Sequence, residues 1–134
     1  MKIDYDFLKK ILLEFEKKED YYIFSNELIQ KLYPEMKKED ELDHKFIGHI
    51  KILFDADCIE NEFSQKKYSG FSININNHLI YSNQPYRLTH KGYEFLDVLK
   101  NDSIFKKIKN FAIDNAFEIG KQLLLSGAIK LIGQ

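Results

Sequence analysis

Apolar positions recur first at helical spacing. In "DYDFLKKILLEFEKK" (4–18), Tyr5, Leu8, Ile11, Leu12 and Phe15 share one face, with Lys9, Lys10, Glu14, Glu16 and Lys17 mostly opposite. That pattern predicts a first helix, started by Asp4 or Asp6 as cap. "SNELIQKLYP" (25–34) predicts a short second helix, with Ser25 as cap, Leu28, Ile29 and Leu32 inward, and Pro34 as its stop. After a charged connection (35–43), "DHKFIGHIKILFDADCIE" (43–60) carries the stripe of a third helix: Phe46, Ile47, Ile50, Leu53 and Phe54. It stops near Asp57, a residue type that tolerates a left-handed turn.

The character then changes. "IENEF", "YSGFSINI", "HLIYS" and "YRL", between residues 59 and 88, are short, aromatic or β-branched, and separated by "SQKK", "NN" and "NQP". Alternation places Phe71, Ile73 and Ile75 on one side of this β-structure. "THKGYEFLDVLKN" (89–101) predicts a fourth helix with Tyr93, Phe95, Leu96 and Leu99 buried. Thr89 caps it, since its first amides have no internal partner. Gly92 falls in the first turn, where a side chain would hold the helix away from the strand or the first helix. Residues 103–133 predict one long helix or two, with Ile104, Ile108, Phe111, Ala112, Ile119 and Leu123 apolar and breaks possible at Gly120 and Gly127.

Helix, short helix, helix, β-hairpin, helix is the order of a winged helix. The fold class expected is mainly α with a small antiparallel β-sheet (α+β): a winged helix-turn-helix over residues 1–101. Residues 102–134 form a C-terminal helical extension that packs on the core or makes a dimer interface.

Three stretches carry a resemblance. "RLTHKGYEFLD" (87–97) is similar to a motif of an uncharacterised bacterial and phage family, a domain of unknown function often found in prophages. "KIDYDFLKKIL" (2–12) resembles that family's opening pattern through Lys2, Asp4, Ile11 and Leu12, with Leu8 one place out of register. "HIKILFDADCIE" (49–60) resembles its third-helix ending through His49, Leu53, Ala56 and Ile59, with Asp57-Cys58 in place of Gly-Leu. His90 stands where an aromatic is common. The resemblance implies a winged-helix-like fold and no established activity.

Composition narrows the setting. A chain of 134 residues, 44% hydrophobic, suits one domain with a real core. The formal net charge is −1, so no global pull toward nucleic acid or anionic lipid exists. The charge is uneven: residues 1–63 carry 10 Lys and 16 Asp+Glu, whereas residues 64–134 carry 10 Lys+Arg and 5 acids. Arg87 is the only arginine, and this with abundant Ile and Asn suggests an AT-rich genome. Cys58 is the only cysteine and the N-terminus has no signal-peptide pattern, which leads us to expect a reducing cytoplasm.

A winged helix most often docks on double-stranded DNA with its third helix in the major groove. The outward candidates are His44, Lys45, Gly48, His49 and Lys51, with Ile52 beside them and Lys66 and Lys67 on the wing. Against this stand Glu35, Glu39, Asp40, Glu41 and Asp43 on the approach to that helix, which repel phosphate. DNA-binding regulation and recognition of another protein therefore both stay open. Ala112, Ala116 and Gly120 form a small-residue row which, with Ile119 and Leu123, could serve a homodimer. Glu118, Lys121 and Lys130 interrupt the apolar tail, so no membrane span is expected. His44 and His49 are five apart, off the spacing of two ligands on one helical face, and no metal, cofactor or enzymatic activity is expected. Glu60 and Glu62 share a strand face that reads better as solvated than catalytic.

Overall fold

A computed structural model describes residues 1–35 and 43–132, the side chains of 128–132 excepted. Glu39, Asp40 and Glu41 of the acidic approach lie outside the described residues. The first helix, α1 (Tyr5–Lys17), starts where the Asp4 carboxylate accepts from the Phe7 amide at 3.1 Å, and it buries the whole predicted stripe. After it comes an element the hydrophobic pattern did not predict, β1 (Tyr22–Phe24), which leads straight into α2 (Ser25–Leu32). Ser25 is not the cap expected of it. It is the first helical residue, fully buried, and its hydroxyl lies 2.7 Å from the Tyr81 hydroxyl. The Asn83 side-chain carbonyl instead accepts from the Asn26 amide at 2.9 Å, so the opening of α2 is satisfied from another part of the chain.

The third helix, α3 (His44–Asp55), is capped by Asp43, which accepts from the Phe46 amide at 2.9 Å. It ends as predicted, with Asp57 in the left-handed region at φ 61°. The strands β2 (Ile59–Asn61), β3 (Phe71–Ile73), β4 (Leu79–Tyr81) and β5 (Pro85–Leu88) follow. They form two units. One is a three-stranded antiparallel sheet in the order β1-β5-β2, with Tyr22 opposite Arg87 and Ile59 opposite Leu88. The other is the β3–β4 hairpin, with Phe71 opposite Tyr81 and Ile73 opposite Leu79. Its turn is held by the Asn74 side chain, which accepts from the Asn76 and His78 amides, with Asn77 left-handed at φ 63°. The alternation that placed Phe71, Ile73 and Ile75 on one side does not carry one environment: Phe71 is buried, Ile73 half exposed, and Ile75, by this turn, is 99% exposed.

The strand-to-helix junction follows from two residues. Thr89 Oγ1 accepts from the Gly92 amide at 3.0 Å, capping α4 (His90–Lys100), and donates to the Asp57 carbonyl. A β-carbon on Gly92 would collide with the Cys58 carbonyl oxygen, so the glycine lets α4 start against the entry to β2. Tyr93, predicted buried, is exposed, and Val98 is buried in its stead. The inward face of α4 runs Gly92, Phe95, Leu96, Leu99, one position to the side of Tyr93. The tail is two helices, α5 (Asp102–Ile108) and α6 (Ile113–Ile132). The break falls between them, leaving Phe111 exposed, and not at Gly120 or Gly127, through which α6 is continuous.

Candidate functional site

The outer side of α3 is where the sequence placed recognition. His49 is not there: it is fully buried. Its Nε2 accepts from the Asp4 backbone amide at 2.9 Å, its Nδ1 lies 2.6 Å from the Lys45 carbonyl, and the Phe7 ring meets it edge-on with centroids 5.3 Å apart. The reason is helical geometry. The buried stripe of α3 is wide enough to take in position 49, between Phe46, Ile50 and Leu53.

Of the remaining candidates, His44, Lys45, Lys51, Lys66 and Lys67 are exposed, and Lys45, Lys51 and Lys67 are engaged. Lys45 pairs with Asp4 at 2.7 Å and lies over the Phe7 ring, 4.9 Å from its centroid. Its hydrogen bond is the main cause holding the Asp4 carboxyl below its ordinary range, against the opposing cost of burial. Lys51 donates to the Phe71 carbonyl at 3.0 Å, tying α3 to the hairpin. Gly48 is covered: a β-carbon there would lie 2.6 Å from the Met1 sulfur. Lys67 lies 3.6 Å from Asp57, and Lys66 lines a hollow with Arg87, Glu60 and Glu62. What stays open beside α3 is a groove of about 390 Å³ between helix and hairpin. Ile47, Ile73 and Leu79 form its apolar floor, and His44 and Lys51 its rim.

A second surface escaped the hydrophobic pattern. On the outer face of the three-stranded sheet, Arg87 bridges Glu60 and Glu62, the latter at 3.3 Å. Glu60 and Glu62 are thus partners of the single arginine. The Tyr21 hydroxyl donates to Glu62 at 2.8 Å, which raises its own proton affinity. Around them Tyr22 meets Tyr21, Phe24 and Phe63 with ring centroids 5.1, 5.8 and 6.0 Å apart. In β1, Ile23 is buried between Tyr22 and Phe24, an alternation too short to stand out in the sequence.

Of the small-residue row, Ala116 is fully buried and a β-carbon at Gly120 would strike the Val98 side chain of α4. That row packs on the chain's own core, with Ala112 exposed and Ile119 and Leu123 half-buried. Burial pushes the Cys58 thiol up to about 12. Among the described residues no group of three or more His, Cys, Asp or Glu is placed to hold a metal ion, and no helix is long and apolar enough to cross a membrane.

These features define a class: a small mixed α+β protein in which helices pack on one face of a three-stranded antiparallel sheet and a hairpin stands against the third helix. The chain belongs to the family described as Hypothetical protein (DUF2513), which it matches over residues 2–118. No curated protein and no solved structure matches it. The resemblance to a family of unknown function is borne out, and the three stretches that carried it all lie inside the match.

Proposed function

We propose that the chain is a non-catalytic winged-helix module that recognises another protein, not DNA. The winged-helix reading is supported by the element order α1-β1-α2-α3-β2-β5-α4, with β5 lying between β1 and β2 and the β3–β4 hairpin inserted as the wing. The observation that carries the choice of partner is the state of the cations on α3. DNA affinity rises with the number of phosphates neutralised. Here the Asp4 carboxylate sits 2.7 Å from the Lys45 ammonium and cancels its field, Lys51 is turned to the hairpin, and His49 is buried. The groove left beside them has an apolar floor of Ile47, Ile73 and Leu79, the kind of surface that takes a partner's apolar side chains.

Two measurements decide it. Fluorescence polarisation with a mixed-sequence duplex at low and raised salt is expected to show no salt-dependent binding. Photo-crosslinking from position 73 in extract of the native host is expected to give a discrete protein adduct that Leu79→Asp removes. Duplex binding that falls steeply with salt, and that Lys45→Glu with Lys51→Glu abolishes, overturns the reading in favour of DNA.

A further inference from the structure

We propose that His49 is a proton-operated latch that fastens residues 1–4 against α3. The segment touches that helix at three points. Met1 covers Gly48, the Asp4 amide donates to His49 Nε2, and Ile3 lines a hollow of about 210 Å³ with Ile52, Ala56 and Ile113. The latch does not depend on what binds there.

The chemistry follows from the two ring nitrogens. A backbone amide can only donate, so Nε2 must be the bare, accepting nitrogen, and Nδ1 carries the proton toward the Lys45 carbonyl. The docked segment therefore requires the neutral ring in one tautomer. Adding a proton at Nε2 sets two donors face to face, and the Asp4 amide must leave. Both Asp4 carboxylate oxygens already accept a bond, Oδ1 from the Phe7 amide and Oδ2 from Lys45, so neither is the ring's partner in the docked segment.

The charged groups facing the ring are Asp4 from the N-terminal side and Lys45 from α3, and they pair with each other. Asp55 of α3 and Asp114 of α6 line the next hollow, beneath Ile3. The Asp4 carboxyl is held below its ordinary range by Lys45, so it stays ionised while the ring changes state. The segment is thus held while the ring is neutral and released when Nε2 takes a proton, which bares Gly48 and Ile52.

The test is amide hydrogen exchange on the 15N-labelled chain, read as protection factors, with the His49 ring nitrogens followed in the same titration. As the pH is lowered, the Asp4 amide is expected to lose protection at least tenfold, with the midpoint at which Nε2 takes its proton. Protection at Leu12, inside α1, should not change. In His49→Gln, a carbonyl oxygen can receive the Asp4 amide without titrating, and the pH dependence should vanish. Constant protection at Asp4 across the range, a midpoint that differs from the ring's, or equal loss in His49→Gln overturns the latch. Should His49→Gln fail to fold, the coincidence of midpoints in the unaltered chain decides alone.

Discussion

In the β1-β5-β2 sheet, Ile23, Ile59, Tyr86 and Leu88 are each at most 3% exposed; in the β3–β4 hairpin, Ile73 and Ile80 are half exposed. Both units are short, antiparallel and rich in β-branched and aromatic residues. They differ in what covers them. The sheet has α1, α3 and α4 against one face, so each inward side chain leaves water, at about 25 cal/mol per Å² of apolar surface. The hairpin is tied down at one end, where Phe71 meets Phe46 of α3 and stacks on Tyr81 at 4.6 Å and Tyr81 bonds to Ser25 of α2, and Ile73 and Ile80 lie beyond that support. A side chain's apolarity therefore does not tell which unit it belongs to; what covers it decides whether it is buried.

The largest effect should come from the sheet. The Tyr86 ring packs edge-on against Phe54 with centroids 5.2 Å apart, and its hydroxyl donates to the Ser69 carbonyl. Tyr86→Ala empties a fully buried site and should cost about 3–5 kcal/mol in urea unfolding, close to the loss of the folded state for a marginal domain. A cost below about 1 kcal/mol would show that the sheet is as loosely covered as the hairpin. Thiol labelling sharpens the same contrast. Cys58, at the entry to β2, is buried and its thiol is pushed up to about 12, mainly by that burial. At pH 8 an aromatic disulfide reagent should modify it at least about a thousandfold more slowly than a thiol placed by Ile75→Cys, since each factor of ten reflects about 1.4 kcal/mol of opening.

Much of this was legible in the sequence, and the failures have physical causes. Stripes of five residues at helical spacing specified α1 and α3, and the capped Thr89 with Gly92 specified the strand-to-helix joint. The strand β1 was not legible, because three residues between two polar stretches carry too little alternation and gain their pairing only from β5. Ser25 looked like a cap because serines usually are; tertiary bonds to Tyr81 and Gln84 claimed it instead. His49 looks outward in the sequence because it is polar, whereas two backbone groups from separate segments satisfy its ring in the core. The residues that carried the family resemblance at opposite ends of this contact, Asp4 and His49, proved to be partners, which no spacing rule could show.

A middle-sized effect tests how the sheet is sealed. Gly92→Ala places a methyl group against the Cys58 carbonyl and 3.0 Å from the Leu88 side chain. The gain in helix propensity, about 1 kcal/mol, is outweighed by an overpacking cost of about 1–3 kcal/mol, because the obstacle is backbone and cannot rotate away. Net destabilisation in thermal unfolding is expected. A stabilised variant would show that α4 can slide on β2, and the seam would then be no tighter than the hairpin's contact with α3.

The smallest effect belongs to the hairpin and separates folding from recognition. Ile75 is 99% exposed beside the Asn74–Asn77 turn, so Ile75→Asp removes no buried area and leaves the Asn74 hydrogen bonds in place. Its change in unfolding free energy should stay within about 0.5 kcal/mol. Ile73→Asp should also be mild for stability, since Ile73 is half exposed, yet it sets a carboxylate on the floor of the α3–hairpin groove. If the groove receives a partner's apolar side chains, Ile73→Asp should abolish capture while Ile75→Asp leaves the fold untouched. Equal and large destabilisation by both would mean that the hairpin is packed as the sheet is, and the distinction between a covered sheet and an open one would be lost.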